Sequence, residues 1–278
     1  MSTAELFNKI EQSGILYGVR REKLFTEKGV QYPGRDALVN EVTGEPVAVV
    51  SPRYNLVTNR DIVTNMLEAV DTARLDTTDS DVSIMSSENG ARSIVTLSLP
   101  AYSVLDGTSN KTVMSISALN SYNGSTRFIM KSGGIRLACL NGQIMGKITG
   151  AYSEYHNSSL NVAKAATQLS ETISRFSESE GWFTRLMNRP VTDAETKTLI
   201  CKYLGIKEEM YEQSRVATKL RETAQGYFAE MGKNAYALYN AFTDFVTHRK
   251  RNPKAAATAY VYDANRLEVM MSKTNVFV

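Results

Sequence analysis

Between Gly107 and Ser153 the chain carries no Asp or Glu, yet Lys111, Arg127, Lys131, Arg136 and Lys147 all fall there, interleaved with Tyr122, Phe128 and Tyr152. Lys and Arg neutralise phosphates and bases stack on aromatic faces, so this mixture on strands and turns suits single-stranded nucleic acid. The same text also fits a solvated sheet face with its aromatics in the core, and both readings stand at this stage. A second acid-free run follows Asp244: His248, Arg249, Lys250, Arg251 and Lys254. It fits either a phosphate clamp or cations completing a helix C-terminus, where the macrodipole favours positive charge, and taken alone the dipole explains it better.

Catalytic chemistry finds little to work with. Hydrolysis and phosphoryl transfer need carboxylates for metal or acid–base work, and the most distinctive stretch has none. His156, His248, Cys139 and Cys201 are scattered at separations that match no zinc pattern. Cys139 and His156 would make a thiolate pair only if Cys139 were activated, but it sits between Ala138 and Leu140, where burial makes a thiol inert. The run Gly142 to Lys147 imitates a phosphate-binding loop, with three residues between its glycines instead of four and Ile148 where a hydroxyl should meet magnesium. The expectation is a non-enzyme with no metal and no cofactor.

The bulk properties bound the rest. A chain of 278 residues, 42% hydrophobic and 22% charged, can bury one sizeable core or one core with a helical appendage. Its formal net charge of +3 is too mild to identify a partner, so the distribution of charge matters more than its sum. Two cysteines in apolar contexts fit reduced thiols better than a disulfide framework. No apolar run approaches the roughly 18 residues of a membrane span, and Glu5, Lys9 and Glu11 occupy the place of a signal sequence. A cytoplasmic protein without membrane contact is expected.

These residues need elements to hold them. Residues 1–44, with Leu6 and Ile10 in a short amphipathic stretch and Tyr32-Pro33-Gly34 as a turn, read as an arm lying on a neighbour or mobile. Residues 45–157 read as an α+β core. It comprises a strand or hairpin around Pro52, a helix through Ile62, Met66, Leu67 and Val70 capped near Asn59, and an antiparallel meander of Val-, Ile- and Thr-rich runs. Turns at Glu88-Asn89-Gly90, Asp106-Gly107 and Asn123-Gly124 divide the meander. Gly133 to Met145 follows as a short helix or a further extended piece.

Residues 158–255 read as helical. Val162, Ala166, Leu169, Ile173, Phe176 and Phe183 form a seam inside the protomer in preference to a self-associating coiled coil. Thr192 with Glu195 makes a capping box, a helix follows over Lys207 to Phe228, and Ala235 to Val246 marks another. Residues 256–278 form a tail whose apolar end, Val276-Phe277-Val278, should dock on something. The fold class is thus α+β, a strand-helix-antiparallel meander-helix core followed by a mostly helical C-terminal half.

Two blocks carry a family resemblance. The first is Ala118-Leu119-Asn120-Ser121-Tyr122-Asn123-Gly124-Ser125 with Gly134-Ile135-Arg136-Leu137-Ala138-Cys139-Leu140-Asn141-Gly142, and His156 fills a last place beyond it. The second runs from Tyr236 to Arg249, with Asn240, Ala241, Thr243, Asp244 and His248 at matching positions. Together they resemble domain-of-unknown-function family 932 over roughly residues 45 to 255. Tyr122 and Asn123 depart from that family's His-Asp pair, and Tyr236 stands for its Trp. The resemblance implies a phage, prophage or plasmid setting more firmly than a mechanism.

Combined with the basic meander, it leads to two expectations. One is a single-stranded DNA-binding or annealing protein for recombination, self-associating into a ring or filament. The order of elements is similar at fold level to RecT, Red-beta and Erf-type annealing proteins. Its candidate contacts are Lys111, Tyr122, Arg127, Phe128, Lys131, Arg136, Lys147, Arg249, Lys250 and Arg251, and annealing needs no nucleotide hydrolysis. The alternative is an interaction protein that binds a host defence or restriction complex.

Overall fold

The computed structural model describes residues 2–87, 90–105, 111–136, 141–143, 151–173, 179–250 and 256–277. The chain opens with helix α1 (Thr3–Gln12), where Ser2 and Glu5 form a capping box. Leu6 and Ile10, four apart, lie on one face and are fully buried. That face packs on α2 (Asn59–Thr72), and the Thr3 hydroxyl donates to Asp71 at 2.9 Å. The N-terminal segment is therefore packed on the body of its own chain, in place of the expected arm lying on a neighbour or mobile.

Strands β1 (Val19–Phe25), β2 (Gln31–Asn40) and β3 (Pro46–Val50) form a separate antiparallel sheet in that order. The strand expected around Val47 thus pairs with the N-terminal hairpin and not with the meander. Thr58, one residue before the expected cap, starts α2: its hydroxyl accepts from the Asp61 N–H while the Asp61 carboxylate accepts from the Thr58 N–H.

The meander follows as β4 (Asp81–Ser86), β5 (Arg92–Leu105), β6 (Lys111–Ser121), β7 (Phe128–Arg136) and β8 (Asn141–Gln143), antiparallel neighbours in sequence order. Strand β9 (Ala151–Glu154) pairs with the first half of β7. The register of β5 on β6 shifts between Leu99 and Ser103, around Pro100, which has no N–H to give a ladder. Gly124 takes φ +63°, as the Asn123-Gly124 turn requires. The stretch from Gly133 is extended, since Gly134, Ile135 and Arg136 pair with Gln143, Gly142 and Asn141.

Helices α3 (Val162–Ile173), α4 (Ser179–Asn188), α5 (Asp193–Leu204), α6 (Arg215–Met231), α7 (Ala235–His248) and α8 (Ala256–Ser272) complete the chain, with a short 3-10 turn at Glu208–Met210. The Thr192–Glu195 capping box forms as read from the sequence, and α5 ends on Gly205 in the left-handed region at φ +66°. Helix α3 packs on α2, β7 and β9, with Ala165 buried and Val162 and Ala166 against the core; Phe176 and the side chains of Leu169 and Ile173 lie outside the described residues. Helix α7 is apolar on nearly every side and runs through the middle of the helical half. Most of the stretch read as a tail is helix α8, with Leu267 and Met270 in the core; only its apolar end extends beyond, and that end docks: Val276 and Phe277 are buried, and the indole N–H of Trp182 donates to the Phe277 carbonyl at 3.0 Å.

A single large cluster of buried side chains joins α1, α2, one face of the six-stranded sheet and the helical half. A smaller cluster under β1–β3, including Leu38, Val47 and Tyr122, ties the two sheets together. The fold is α+β, with antiparallel sheets in the first half and helices in the second.

Candidate nucleic-acid interface

Side chains alternate between faces along a strand, and directly paired residues share a face. In β5, Ser93, Val95, Leu97 and Leu99 turn toward α2, as do Met114, Ile116, Ala118 and Asn120 of β6 and Phe128 and Met130 of β7; all are buried. The intervening residues define the opposite face, and the pairing aligns them in rows across the sheet.

The first row combines Arg92, its partner Ser121, Arg127 and Tyr155. Next comes an apolar row, Met85, Ile94, Leu119 and Ile129, against which Tyr260 of α8 packs. The third row is Ser83, Thr96, Ser117 and Lys131. Thr96 and Ser117 share a hydrogen bond of 3.0 Å across the β5–β6 ladder. The central cations that come together, Arg92, Arg127 and Lys131, thus occupy one face, and none of them has an acid within ion-pair distance among the described residues.

The Arg127–Tyr155 pair is the most distinctive feature of this face. The guanidinium carbon lies 4.0 Å from the Tyr155 ring centroid and its Nη2 donates to the phenol oxygen at 2.8 Å. Arg127 is exposed and Tyr155 is 57% exposed, so a planar cation and a ring are held together at the surface with little freedom left to lose on binding. Arg92, half-buried, is held by a hydrogen bond from its Nε to the Ser125 hydroxyl in the β6–β7 turn. Lys131 is half-buried; burial holds its ammonium pKa below the usual lysine value, and the Glu268 carboxylate on α8 offsets only part of that. Helix α8 packs on the β4–β5 side of this face, and its Tyr260 covers the apolar row, where Ile94 and Leu119 are buried.

A buried polar layer fixes the end of the sheet that carries the first row. Asn59 at the start of α2 donates its backbone N–H to the Tyr122 hydroxyl at 2.9 Å, and its side-chain oxygen accepts from Ser93 and Asn120 at 2.8 Å each. Asn120 also donates to the Val57 carbonyl. Tyr54 donates to the Ser121 carbonyl at 2.5 Å and stacks on His156 with ring centroids 5.0 Å apart. His156 is buried, its Nδ1 3.4 Å from the Asn55 carbonyl, and desolvation holds its pKa below the usual histidine value. With Asn120, Ser121, Tyr122 and His156 in this layer, the first motif block reads as scaffold that positions the exposed row.

Tyr122 and Phe128 require a correction. They are 1% and 0% exposed, facing the core side of the sheet, so neither offers a ring face to a base. Strand alternation is the cause: Phe128 lies between Arg127 and Ile129 and points the opposite way. Tyr155 supplies the exposed ring that the sequence reading assigned to them.

The other expected cations do not join this cluster. Arg136 ends β7, nine residues or about 30 Å of strand from Arg127, and Lys111 sits at the same far end, where Leu105 pairs with it. Lys147 and Arg251 lie outside the described residues, as do Cys139 and Lys254. Arg249 caps α7, sits over the Phe245 ring and lies 3.4 Å from Asp263, as a cation completing a helix terminus does; Lys250 beside it is exposed. At the far end β8 packs against α7, which brings the Asn141-Gly142 part of the first motif block onto the helix that carries the second.

Among the described residues there is no group of three or more His, Cys, Asp or Glu placed to hold a metal, and no helix long and apolar enough to cross a membrane. Cys201 is a buried free thiol. Residues 46–271 match the family described as Domain of unknown function (DUF932), and the chain belongs to that family. No curated protein and no solved structure matches it.

Proposed function

We propose that this member of the DUF932 family binds single-stranded DNA at the end of its six-stranded sheet that carries Arg92, Arg127 and Tyr155. The observation that carries the reading is the placement of Arg92, the Arg127–Tyr155 pair and Lys131 on one face, with Tyr155 as its exposed ring. Phosphates then meet the three cations, a base stacks on or beside Tyr155, and the hydroxyls of Thr96 and Ser117 are at hand for sugar or phosphate oxygens. Nothing in this scheme needs a cofactor or bond-breaking chemistry. Annealing of complementary strands by a ring or filament of such protomers in a phage or plasmid setting is the fuller form of the reading; it rests on the family's phage and plasmid setting alone.

A salt titration tests it. Each phosphate contact to a single strand contributes about 0.7 to the slope of log K against log salt, so three contacts give about 2, a roughly 20-fold loss of affinity between about 50 and about 200 mM salt. Arg127→Ala should lower that slope by about 0.7. An oligonucleotide that fails to bind at low salt, or a slope untouched by Arg127→Ala, overturns the assignment of this face.

A further inference from the structure

The β1–β2 hairpin is buried at its base and exposed toward its tip. Asp36 to Val39 are buried, whereas Gln31 to Arg35 and the facing end of β1 are largely exposed. The tip carries Phe25 at 57%, Val30 at 63% and Tyr32 at 51% exposure. Phe25 pairs with Gln31 and shares its face, so Tyr32, the next residue of β2, lies on the opposite face of the ribbon; the turn closes through the Thr26 N–H bonded to the Val30 carbonyl at 2.8 Å with Gly29 at φ +73°. Leaving two large rings in water on one short ribbon is unfavourable unless something covers them.

We propose that this ribbon is a second contact for the same single strand, which passes over its tip with Phe25 and Tyr32 as base-stacking rings, one on each face. The inference rests on the sheet-face reading above and extends it. Two observations favour a nucleic acid as the occupant. Five cations against Glu22, Glu27 and Asp36 lie between Val19 and Asp36; Asp36 is shared by Arg21 and Lys23 at 3.0 and 2.9 Å, and Lys28 and Arg35 near the tip make no ion pair among the described residues. The free edge of β1, where another chain would add a strand, carries Arg20, Arg21 and Lys23, and charge on an edge opposes strand addition.

The ribbon is also continuous with the first row of the sheet face. Arg21 donates to the Tyr54 carbonyl at 2.6 Å, and Tyr54 in turn donates to the Ser121 carbonyl, in the row that holds Arg92 and Arg127. A strand leaving the sheet at that end meets the base of the ribbon.

The test compares thymidine oligonucleotides of about 6 and about 20 nucleotides, one near the short end of the usual 4–16 nucleotide sites and one beyond the long end, binding to the wild-type chain, to Phe25→Ala/Tyr32→Ala and to Arg127→Glu/Lys131→Glu. Loss of one stacking ring weakens binding roughly 5- to 150-fold, so the ribbon variant should lose at least that much on the long oligonucleotide and little on the short one. Its melting curve should match the wild type, since both rings are exposed. Unchanged affinity for the long oligonucleotide overturns the ribbon's role, and does so whether or not the variant also loses self-association in light scattering, which would identify a second copy as the occupant. Loss of short-oligonucleotide binding in the charge-reversal variant, with the ribbon variant unaffected, retains the sheet face and removes the ribbon. Retained short-oligonucleotide binding in the charge-reversal variant removes the sheet face, while a selective defect of the ribbon variant still supports the ribbon.

Discussion

Tyr122→Phe separates a scaffold residue from a ligand contact. The ring is 1% exposed, and its hydroxyl accepts the backbone N–H of Asn59, one of the first N–H groups of α2 that no carbonyl within the helix can satisfy. Phenylalanine keeps the ring packing and leaves that N–H buried without a partner. The loss of a buried hydrogen bond of this kind costs about 1–3 kcal/mol, and the neighbouring Thr58 cap does not compensate because it serves the Asp61 N–H. At roughly 2–4 °C per kcal/mol for chains of a few hundred residues, Tm should fall by several degrees, and the urea midpoint should fall without a change in slope. Oligonucleotide affinity, measured well below the melting temperature, should be unchanged. A variant that melts like the wild type but no longer binds would refute the argument and return Tyr122 to the ligand site.

Other consequences follow from the same structure. In the α5 capping box the Glu195 carboxyl is held down to about 2, first by its bonds from Arg189 and then by the Thr192 N–H. A carboxyl whose folded pKa lies below its unfolded value of about 4.3 stabilises the fold above that pH, and the stabilisation fades as pH falls toward about 2. Glu195→Gln should therefore lower Tm at pH 7 and flatten the loss of stability between about pH 4.5 and about pH 2; an acid melting profile parallel to the wild type would contradict the assignment. Phe277→Ala should destabilise by about 3–5 kcal/mol and shift the emission of Trp182, the only tryptophan, to longer wavelength, because Phe277 is 3% exposed and its carbonyl accepts the indole N–H. Unaltered emission and stability would mean that the tail does not close that side of the core. Thr58→Ala should cost about 1 kcal/mol through loss of the α2 cap, read as a lower urea midpoint.

The order of elements was legible in the sequence because its signals are local. Apolar spacing over Ile62 to Val70, the Asn123-Gly124 turn and the Thr192–Glu195 box act within a few residues, and all three appear where the residues place them. The cap of α2 fell one residue early because Thr58 and Asn59 are both good cap residues, and only the bond to Asp61 distinguishes them. The α1 segment looked free because its two buried residues have their partners on α2, some sixty positions away.

The site was half legible for a related reason. The excess of cations between Gly107 and Ser153 was visible, but composition does not say which parity of a strand faces solvent. Alternation alone divides Arg127, Ile129 and Lys131 from Phe128 and Met130, so a packed Phe128 implies an outward Arg127, and residue order suffices for that step. Tyr155 and Arg92 could not be found that way. They reach Arg127 and Ser121 only through the pairing of β9 with β7 and of β5 with β6.

The central claim is that single-stranded DNA lies on the sheet face that carries Arg92, Arg127, Tyr155 and Lys131. The most direct measurement is photo-crosslinking of a 5-iodouracil-substituted oligonucleotide to the full chain at low salt, with the attached peptides identified by mass spectrometry. Crosslinks are expected at Tyr155 and on the peptide spanning Arg127 to Lys131, reduced by excess unlabelled strand and by salt. Crosslinks confined to the helical half, or a chain that captures no strand at low salt, would contradict the claim.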